Sequence, residues 1–422
     1  MRTNSARRTF NLTIAIAFAV AMAPTTGLAA KDDKTGNKEV FGPAAIEQES
    51  KRDKGKPTDK PAALWNTTLS FHGYFKTDAI HSRFSAGDPG ERSVGRDFYI
   101  PATVPVGPDD DFSGIDLHVK QSRFRFETTT SYYDNEPIRG RFELDFMLST
   151  GGDERVTNSF NPRLRHAFFT FKNVLIGQTY TNFMDVATYP ESLNFTGPSE
   201  SIILVRQPQF RVSFAGLQFS AENPETTVTP NGGGGRIVTG DSDMPDLTVS
   251  STFNLRKTRL SLGLLARQLR LDDGQNIHGK AWGYGFNFTG KLPIYRHDLK
   301  FLVAAGEGIG RYIGLNTTND SVVTSGGDLE AIPLVSAYLN YRHRWSAFWR
   351  TNLIAGVLEI DNDTELTGPG VTRSVKSLIG NVIWQWRPEV SFGAEILHAE
   401  RETEGGADGT LNRLQFSGKF AF

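Results

Sequence analysis

Two short stretches carry arginine on alternate residues, Arg123 with Arg125 and Arg139 with Arg141. A guanidinium is always charged and presents a planar fork of donors, so a set on one sheet face grips carboxylates and other oxyanions through paired hydrogen bonds. That is recognition chemistry, in which no bond is made or broken. Glu127, Glu143 and Asp145 recur on the same alternate positions, so part of the arginine set is expected to pair within its own wall. A third stretch, GQTYTNFMDVATYPESLNFTGPSESIILVRQPQFR over 177–211, adds Asp185, Glu191 and Glu200, then Arg206 and Arg211. Its middle, residues 184–202, lies between two strand-like pieces and reads as a loop that folds inward, its acids facing the arginines across a narrow gap.

The elements that position these side chains show a period of two. Ile138, Phe142, Leu144, Phe146 and Leu148 share one face, and Arg139, Arg141, Glu143 and Asp145 the other; Phe124, Phe126 and Tyr132 likewise oppose Arg123, Arg125 and Glu127. One face suits lipid and the other water, as in a transmembrane barrel strand. From residue 66 to the C-terminus the alternation predicts about sixteen strands, the even number that bacterial single-chain barrels adopt. The connections alternate in length. Tight links such as Lys172-Asn173, Ala215-Gly216, Arg256-Lys257, His343-Arg344 and Arg387-Pro388 separate long ones at 87–116, 151–161, 225–245, 310–330, 362–372 and 402–410. Short periplasmic turns and long external loops produce that rhythm. Leu414, Phe416, Phe420 and Phe422 alternate with Arg413, Gln415, Ser417 and Lys419, so the last strand ends on an aromatic residue. The predicted fold is all-β: a transmembrane antiparallel barrel with an inward constriction loop and both ends of the barrel chain on the periplasmic side.

The facing of two arginines is open at this level. Phe210, Val212 and Phe214 assign Arg211 to the lumen, and Arg206, an odd number of residues away, then faces lipid unless Pro208 marks a bulge or Arg206 still belongs to the loop. Arg163 and Arg165 stay unassigned, because LRHAFFTFK is apolar on both faces, as a strand at a subunit contact would be.

Composition narrows the classes. The 422 residues carry a net charge of -1 and no cysteine, which excludes disulfides, thiolate metal sites and cysteine nucleophiles and argues against a nucleic-acid partner. No apolar run is long enough for a spanning helix. Arg2, Arg7 and Arg8, the apolar run 12–23 and small residues through Ala29 and Ala30 form a signal peptide over residues 1–30. Arg7-Arg8-Thr9-Phe10 also resembles a twin-arginine signal, but a barrel inserts from an unfolded chain, which favours the general secretory reading. Residues 31–63 are polar and rich in Gly and Pro and read as a flexible periplasmic tail; the barrel occupies 64–422.

Several motifs together resemble the DcaP-like family of trimeric outer-membrane porins. They are His72-Gly73-Tyr74-Phe75-Lys76, Arg96-Asp97-Phe98-Tyr99-Ile100-Pro101, Gln121-Ser122-Arg123-Phe124, Gly177-Gln178-Thr179, Phe183-Met184-Asp185, Pro190-Glu191-Ser192-Leu193, Val205-Arg206-Gln207-Pro208-Gln209 and Glu222-Asn223-Pro224-Glu225-Thr226. They span the first half of the barrel; the second half resembles the family in pattern only. The resemblance implies a sixteen-stranded homotrimer in the bacterial outer membrane, surrounded by lipid and lipopolysaccharide, that favours small anions such as dicarboxylates. Some members carry an N-terminal coiled coil, and residues 31–60 are too short and too broken by Gly and Pro to form one.

The residues assigned to the constriction are Arg123, Arg125, Arg139, Arg141, Arg206, Arg211, Asp185 and Glu191. The expected function is passive diffusion of small hydrophilic solutes, without catalysis. The rival readings are a barrel-type outer-membrane enzyme, a lipase or protease, for which no Ser, His and Asp set is evident, and a non-conducting structural or adhesin barrel. No cofactor is expected. Asp109 to Asp111 and Asp361 to Asp363 are the positions in external loops where Ca²⁺ would bind, and the eight histidines show no zinc spacing.

Overall fold

The computed structural model describes residues 65–422 apart from 133–135, 148–153 and 276. Residues 1–30, read as a signal peptide, and 31–63, read as a tail, lie outside the described residues. In the first half of the chain the strands are β1 (Trp65–Phe84), β2 (Phe112–His118), β3 (Arg123–Tyr132), β4 (Ile138–Asp145), β5 (Arg163–Phe171), β6 (Val174–Tyr180), β7 (Arg206–Phe214) and β8 (Leu217–Glu222). After β9 (Thr226–Thr229) and β10 (Ile237–Thr239) come β11 (Asp246–Leu255), β12 (Thr258–Asp272), β13 (His278–Ile294) and β14 (His297–Glu307). Then follow β15 (Ser321–Val323), β16 (Leu329–Ala331), β17 (Pro333–Arg344), β18 (Trp349–Ile360), β19 (Thr372–Gln385), β20 (Val390–Thr403) and β21 (Asp408–Ala421).

Sixteen antiparallel strands close into a barrel, because β2 and β3 are two halves of one wall strand: β3 pairs with β1 over Trp65–Tyr74 and β2 pairs with it over Asp78–Phe84. The strand at Phe112–His118 falls where a long external loop is expected over 87–116, and the loop proper ends before it. The polar residues of β2 conceal its alternation. The barrel shuts where β21 pairs with β1, Tyr74 opposite Ala421 through Phe84 opposite Leu411. At this seam Gly73 and Phe422 exchange backbone hydrogen bonds of 3.0 Å each. The other four short strands form a separate small sheet, β10-β9-β15-β16, in two of the external loops.

Turn chemistry follows from length. Two-residue links between twisted strands require positive φ, and Lys172, Ala215, Arg256 and Tyr295 adopt it at 50–57°. The link expected at His343-Arg344 falls two residues later, since β17 continues through Arg344 and β18 begins at Trp349.

Large apolar side chains such as Phe126, Phe142, Phe169, Phe210 and Phe286 are exposed on the outer face, while inward positions are mostly covered. What covers them is chain folded into the lumen. Ile202, Ile203 and Val205 from the 181–205 loop and Ile309, Tyr312 and Ile313 from the 308–332 loop pack with inward Leu265, Leu302, Ile354, Leu358 and Ile379. Small residues make room for them: a Cβ on Gly263 or Gly285 would press on the Phe183 ring at 3.2 and 3.1 Å. The loop is therefore held by apolar burial as well as by polar contacts.

Candidate functional site

The 181–205 loop leaves the wall after β6 and runs along the far side of the lumen. Asp185 takes a two-point contact from Arg259 of β12, at 3.0 and 3.1 Å. The Tyr338 hydroxyl of β17 donates to Thr188 O at 3.1 Å, and Lys300 Nζ of β14 to Tyr189 O at 2.7 Å. Glu191 receives Arg350 of β18 at 2.7–3.0 Å and lies 3.7 Å from Arg342 of β17. Glu395 of β20 accepts from the amides of Leu193 and Asn194 at 2.8 Å each, and Ser377 of β19 donates to Glu200 at 2.7 Å.

This corrects the expected pairing of the loop acids. Asp185 and Glu191 do not face the arginines of β3 and β4; they bind the wall from β12 to β18. Inward Arg259, Arg342 and Arg350 were missed from the sequence; their alternate positions in strands mark them as lumen-facing, but which loop acid each meets is set by the path of the loop. The arginine wall, for its part, has carboxylates of its own.

That wall is built by register. Arg125 lies opposite Glu143, and Glu127 opposite Arg141, across the β3 and β4 pair, all on the side away from Phe126 and Phe142. Arg139 shares this face and is exposed near the start of β4. Arg141 binds Glu127 closely, with Nε to Oε1 at 2.8 Å. Arg123 and Arg125 are held more loosely: their Nε atoms stand 3.5 Å from Glu143 and 3.7 Å from Glu127 and form no hydrogen bond among the described residues.

A bulge extends the wall to β5. Glu143 pairs with His166 and Leu144 with Leu164, which leaves Arg165 as the extra residue. Such an insertion resets the alternation, so Arg163, Arg165 and His166 all turn inward. Arg163 makes two contacts of 2.9 Å to Asp145, and Arg165 binds Glu143 and Asp145 at 2.7 Å each and the Tyr180 hydroxyl at 2.9 Å. The Phe195 ring of the loop lies 5.7 Å from both guanidiniums, within cation-π range. On β3 to β5 six guanidiniums (Arg123, Arg125, Arg139, Arg141, Arg163, Arg165) meet three carboxylates (Glu127, Glu143, Asp145), an excess of three positive charges.

Arg206 and Arg211 occupy β7. No bulge occurs at Pro208: pairing with β6 runs unbroken from Tyr180 opposite Arg206 to Val174 opposite Val212. Arg206 is instead the first residue of the strand, its guanidinium 5.7 Å from the Tyr180 ring. Through that ring it adjoins the Arg165 cluster. Arg211 donates to Gln209 Oε1 and, at 2.7 Å, to Tyr180 O, and it borders a small polar cleft with Asp185, Arg259, Gln218 and Ser250. In the external loops Asp111 is paired with Arg83, and Asp363 caps the helical turn Thr364–Thr367.

The sequence model of the DcaP outer membrane protein family matches residues 40–422. The outer membrane channel DcaP of Acinetobacter baumannii has a similar crystal structure, with a TM-score of 0.71 at 21% identity, over 86% of this chain and 99% of that one. Outer-membrane expressed OmpT of Vibrio cholerae is similar in fold, with a TM-score of 0.51 at 10% identity over 84% and 98% of the two chains. No curated protein sequence matches the chain. With all but the first 39 residues inside the family match, this chain belongs to the DcaP outer membrane protein family.

Proposed function

We propose that the barrel is a porin, through which small hydrophilic solutes diffuse passively along the arginine face of β3 to β5, with anions and dicarboxylates favoured. The observation that carries this reading is the incomplete pairing of Arg123 and Arg125. Their nearest carboxylates stand at 3.5 and 3.7 Å; Nε of each is covered, but the side chains keep about a fifth of their exposure, and that exposed part is what a passing oxyanion would meet. A ring of fixed cations lowers the barrier to anions and raises it to cations. The loop on the opposite wall narrows the route and brings Phe195 against it, while its acids Asp185 and Glu191 are neutralised by Arg259 and Arg350. A dicarboxylate has two ends for the staggered guanidiniums and is the solute that exploits the repeat along the wall.

The A. baumannii relative is described as an outer membrane channel, which accords with this reading. We further propose a homotrimer in the bacterial outer membrane, exported by the signal peptide 1–30 and bounded by lipid and lipopolysaccharide. Planar-bilayer recording tests the central claim. Discrete conductance steps, with a reversal potential in a KCl gradient of the sign for anion preference, support it; a silent barrel overturns it in favour of a structural role. A denaturant-resistant band at three times the monomer mass on an unheated gel tests the trimer.

A further inference from the structure

One acid of the inward loop belongs neither to the arginine wall nor to an ion pair. Glu200, in the turn Ser199–Ser201, has 0% exposure. Its Oε1 accepts from Ser377 Oγ, and its Oε2 has no hydrogen-bond partner among the described residues. Tyr99, from the external loop between β1 and β2, brings its hydroxyl beside this carboxyl; the two act on one another, but the geometry stops short of a formed hydrogen bond. Gly356 of β18 supplies the space, because a Cβ there would collide with Oε1. Among the described residues no arginine, lysine, histidine or second carboxylate acts on Glu200 from the strands or loops packed around it.

An ionised carboxylate enclosed by hydroxyls and a glycine, with no counter-charge, is strongly disfavoured. The Ser377 and Tyr99 hydroxyls and the loop backbone favour the charged form, but burial outweighs them. The same external segment is fastened to the loop at other points. Tyr99 N donates to Asn194 Oδ1 at 2.9 Å, Ser199 Oγ donates to Tyr99 O at 2.6 Å, and the rings of Phe98 and Phe195 meet at 5.2 Å. Phe195 is the residue that touches Arg163 and Arg165, so this fastening reaches the candidate pathway directly.

We propose that Glu200 is a positioning residue of the permeation path: as a neutral acid it pins the inward loop to β18, β19 and the Tyr99 segment, and its ionisation loosens all three contacts. This role rests on the porin reading of the same site. Burial pushes the Glu200 carboxyl from the ordinary 4.5 up to about 7. A group whose pKa is raised on docking supports the docked state fully below its ordinary value, and that support declines as pH climbs toward the raised one. Within the interval each pH unit weakens docking by at most about tenfold.

Single-channel recording between pH 5 and 8 tests the proposal with the full-length protein. Wild-type current fluctuations are expected to rise with pH and level off above neutrality. Glu200→Gln, neutral at every pH, is expected to give a flat profile. Gly356→Ala, which evicts the carboxyl from its enclosure, is expected to fluctuate at pH 5 as the wild type does at pH 8. A wild-type record without pH response, or the same response in Glu200→Gln, overturns the role. A barrel silent at every pH overturns the porin reading instead, and hydrogen exchange of the 199–205 amides in micelles, corrected for intrinsic rates, then decides the Glu200 role alone. Protection that falls with pH in the wild type and not in Glu200→Gln upholds it; identical profiles overturn it.

Discussion

Glu191 and Arg350 meet at 2.7 Å from Oε1 to Nη2, with two further contacts from Nε at 2.9 and 3.0 Å, and so join the inward loop to the start of β18. Burial alone would raise the Glu191 carboxyl, but the hydrogen bonds and charge of Arg350 outweigh it and hold the group below the ordinary carboxylate range. A charge-assisted contact of this kind contributes roughly 1.5–3 kcal/mol. Arg350→Ala is expected to remove that much from loop docking, read as faster hydrogen exchange at residues 189–195 with the barrel strands unchanged. Unaltered exchange there would show that the apolar contacts of the loop suffice.

Arg123 and Arg125 should separate from Arg165 by what their loss changes. The first two are partly exposed and loosely paired, so Arg123→Ser and Arg125→Ser are expected to lower anion preference in the reversal potential without affecting folding. Arg165 is 2% exposed and lies between Glu143 and Asp145, themselves covered. Arg165→Ser leaves buried carboxylates short of a cation, a change that typically costs about 3–5 kcal/mol. The expected result is a lower unfolding midpoint in denaturant. A stable Arg165→Ser barrel with altered selectivity would instead place Arg165 in contact with solute.

The seam between first and last strands depends on the absence of a side chain at Gly73. A Cβ there would run into Arg123 O and stand 2.9 Å from the Phe422 ring, which lies over this position between Phe71 and Phe75. An aromatic ring covering a strand glycine compensates for the missing side chain. Gly73→Val is expected to open the pairing of Gly73 with Phe422 and to abolish the compact, heat-modifiable form on an unheated gel. Phe422→Leu, which keeps the backbone contacts but shrinks the cover, should weaken that form and not abolish it.

The sixteen wall strands were legible because lipid demands an apolar residue at every second outward position, and that demand leaves a trace in residues such as Phe124, Phe126 and Phe142. The lumen arginines of β3 and β4 were legible for the same reason. Arg163 and Arg165 were not, since a bulge carries no mark in the alternation of its own strand; it exists only in the pairing of Glu143 with His166. Nor were the partners of Asp185 and Glu191, which lie 74 and 159 residues away on strands that any inward acid could reach. β2 escaped notice because it is short, with Ser113 at one of its three outward positions and the apolar Phe112 on its inward face.

Two acids of one loop carry pKa shifts of opposite sign, and together they define a pH window. The Glu191 carboxyl is lowered from 4.5 by Arg350, so its contribution to docking is complete above about pH 4.5 and is lost as pH falls through the lowered value. The Glu200 carboxyl is raised from 4.5 to about 7, so its contribution is complete below about pH 4.5 and declines toward neutrality. Docking is therefore expected to be tightest near pH 4.5, with an acid limb owned by Glu191 and a neutral limb owned by Glu200. Hydrogen exchange across residues 189–205, corrected for intrinsic rates, should trace both limbs in the wild type. Glu200→Gln should erase only the neutral limb, and Glu191→Gln, which forfeits the ion pair with Arg350, only the acid one. A single limb that responds to both substitutions would mean that the two contacts release as one unit, through the short stretch of loop that joins them.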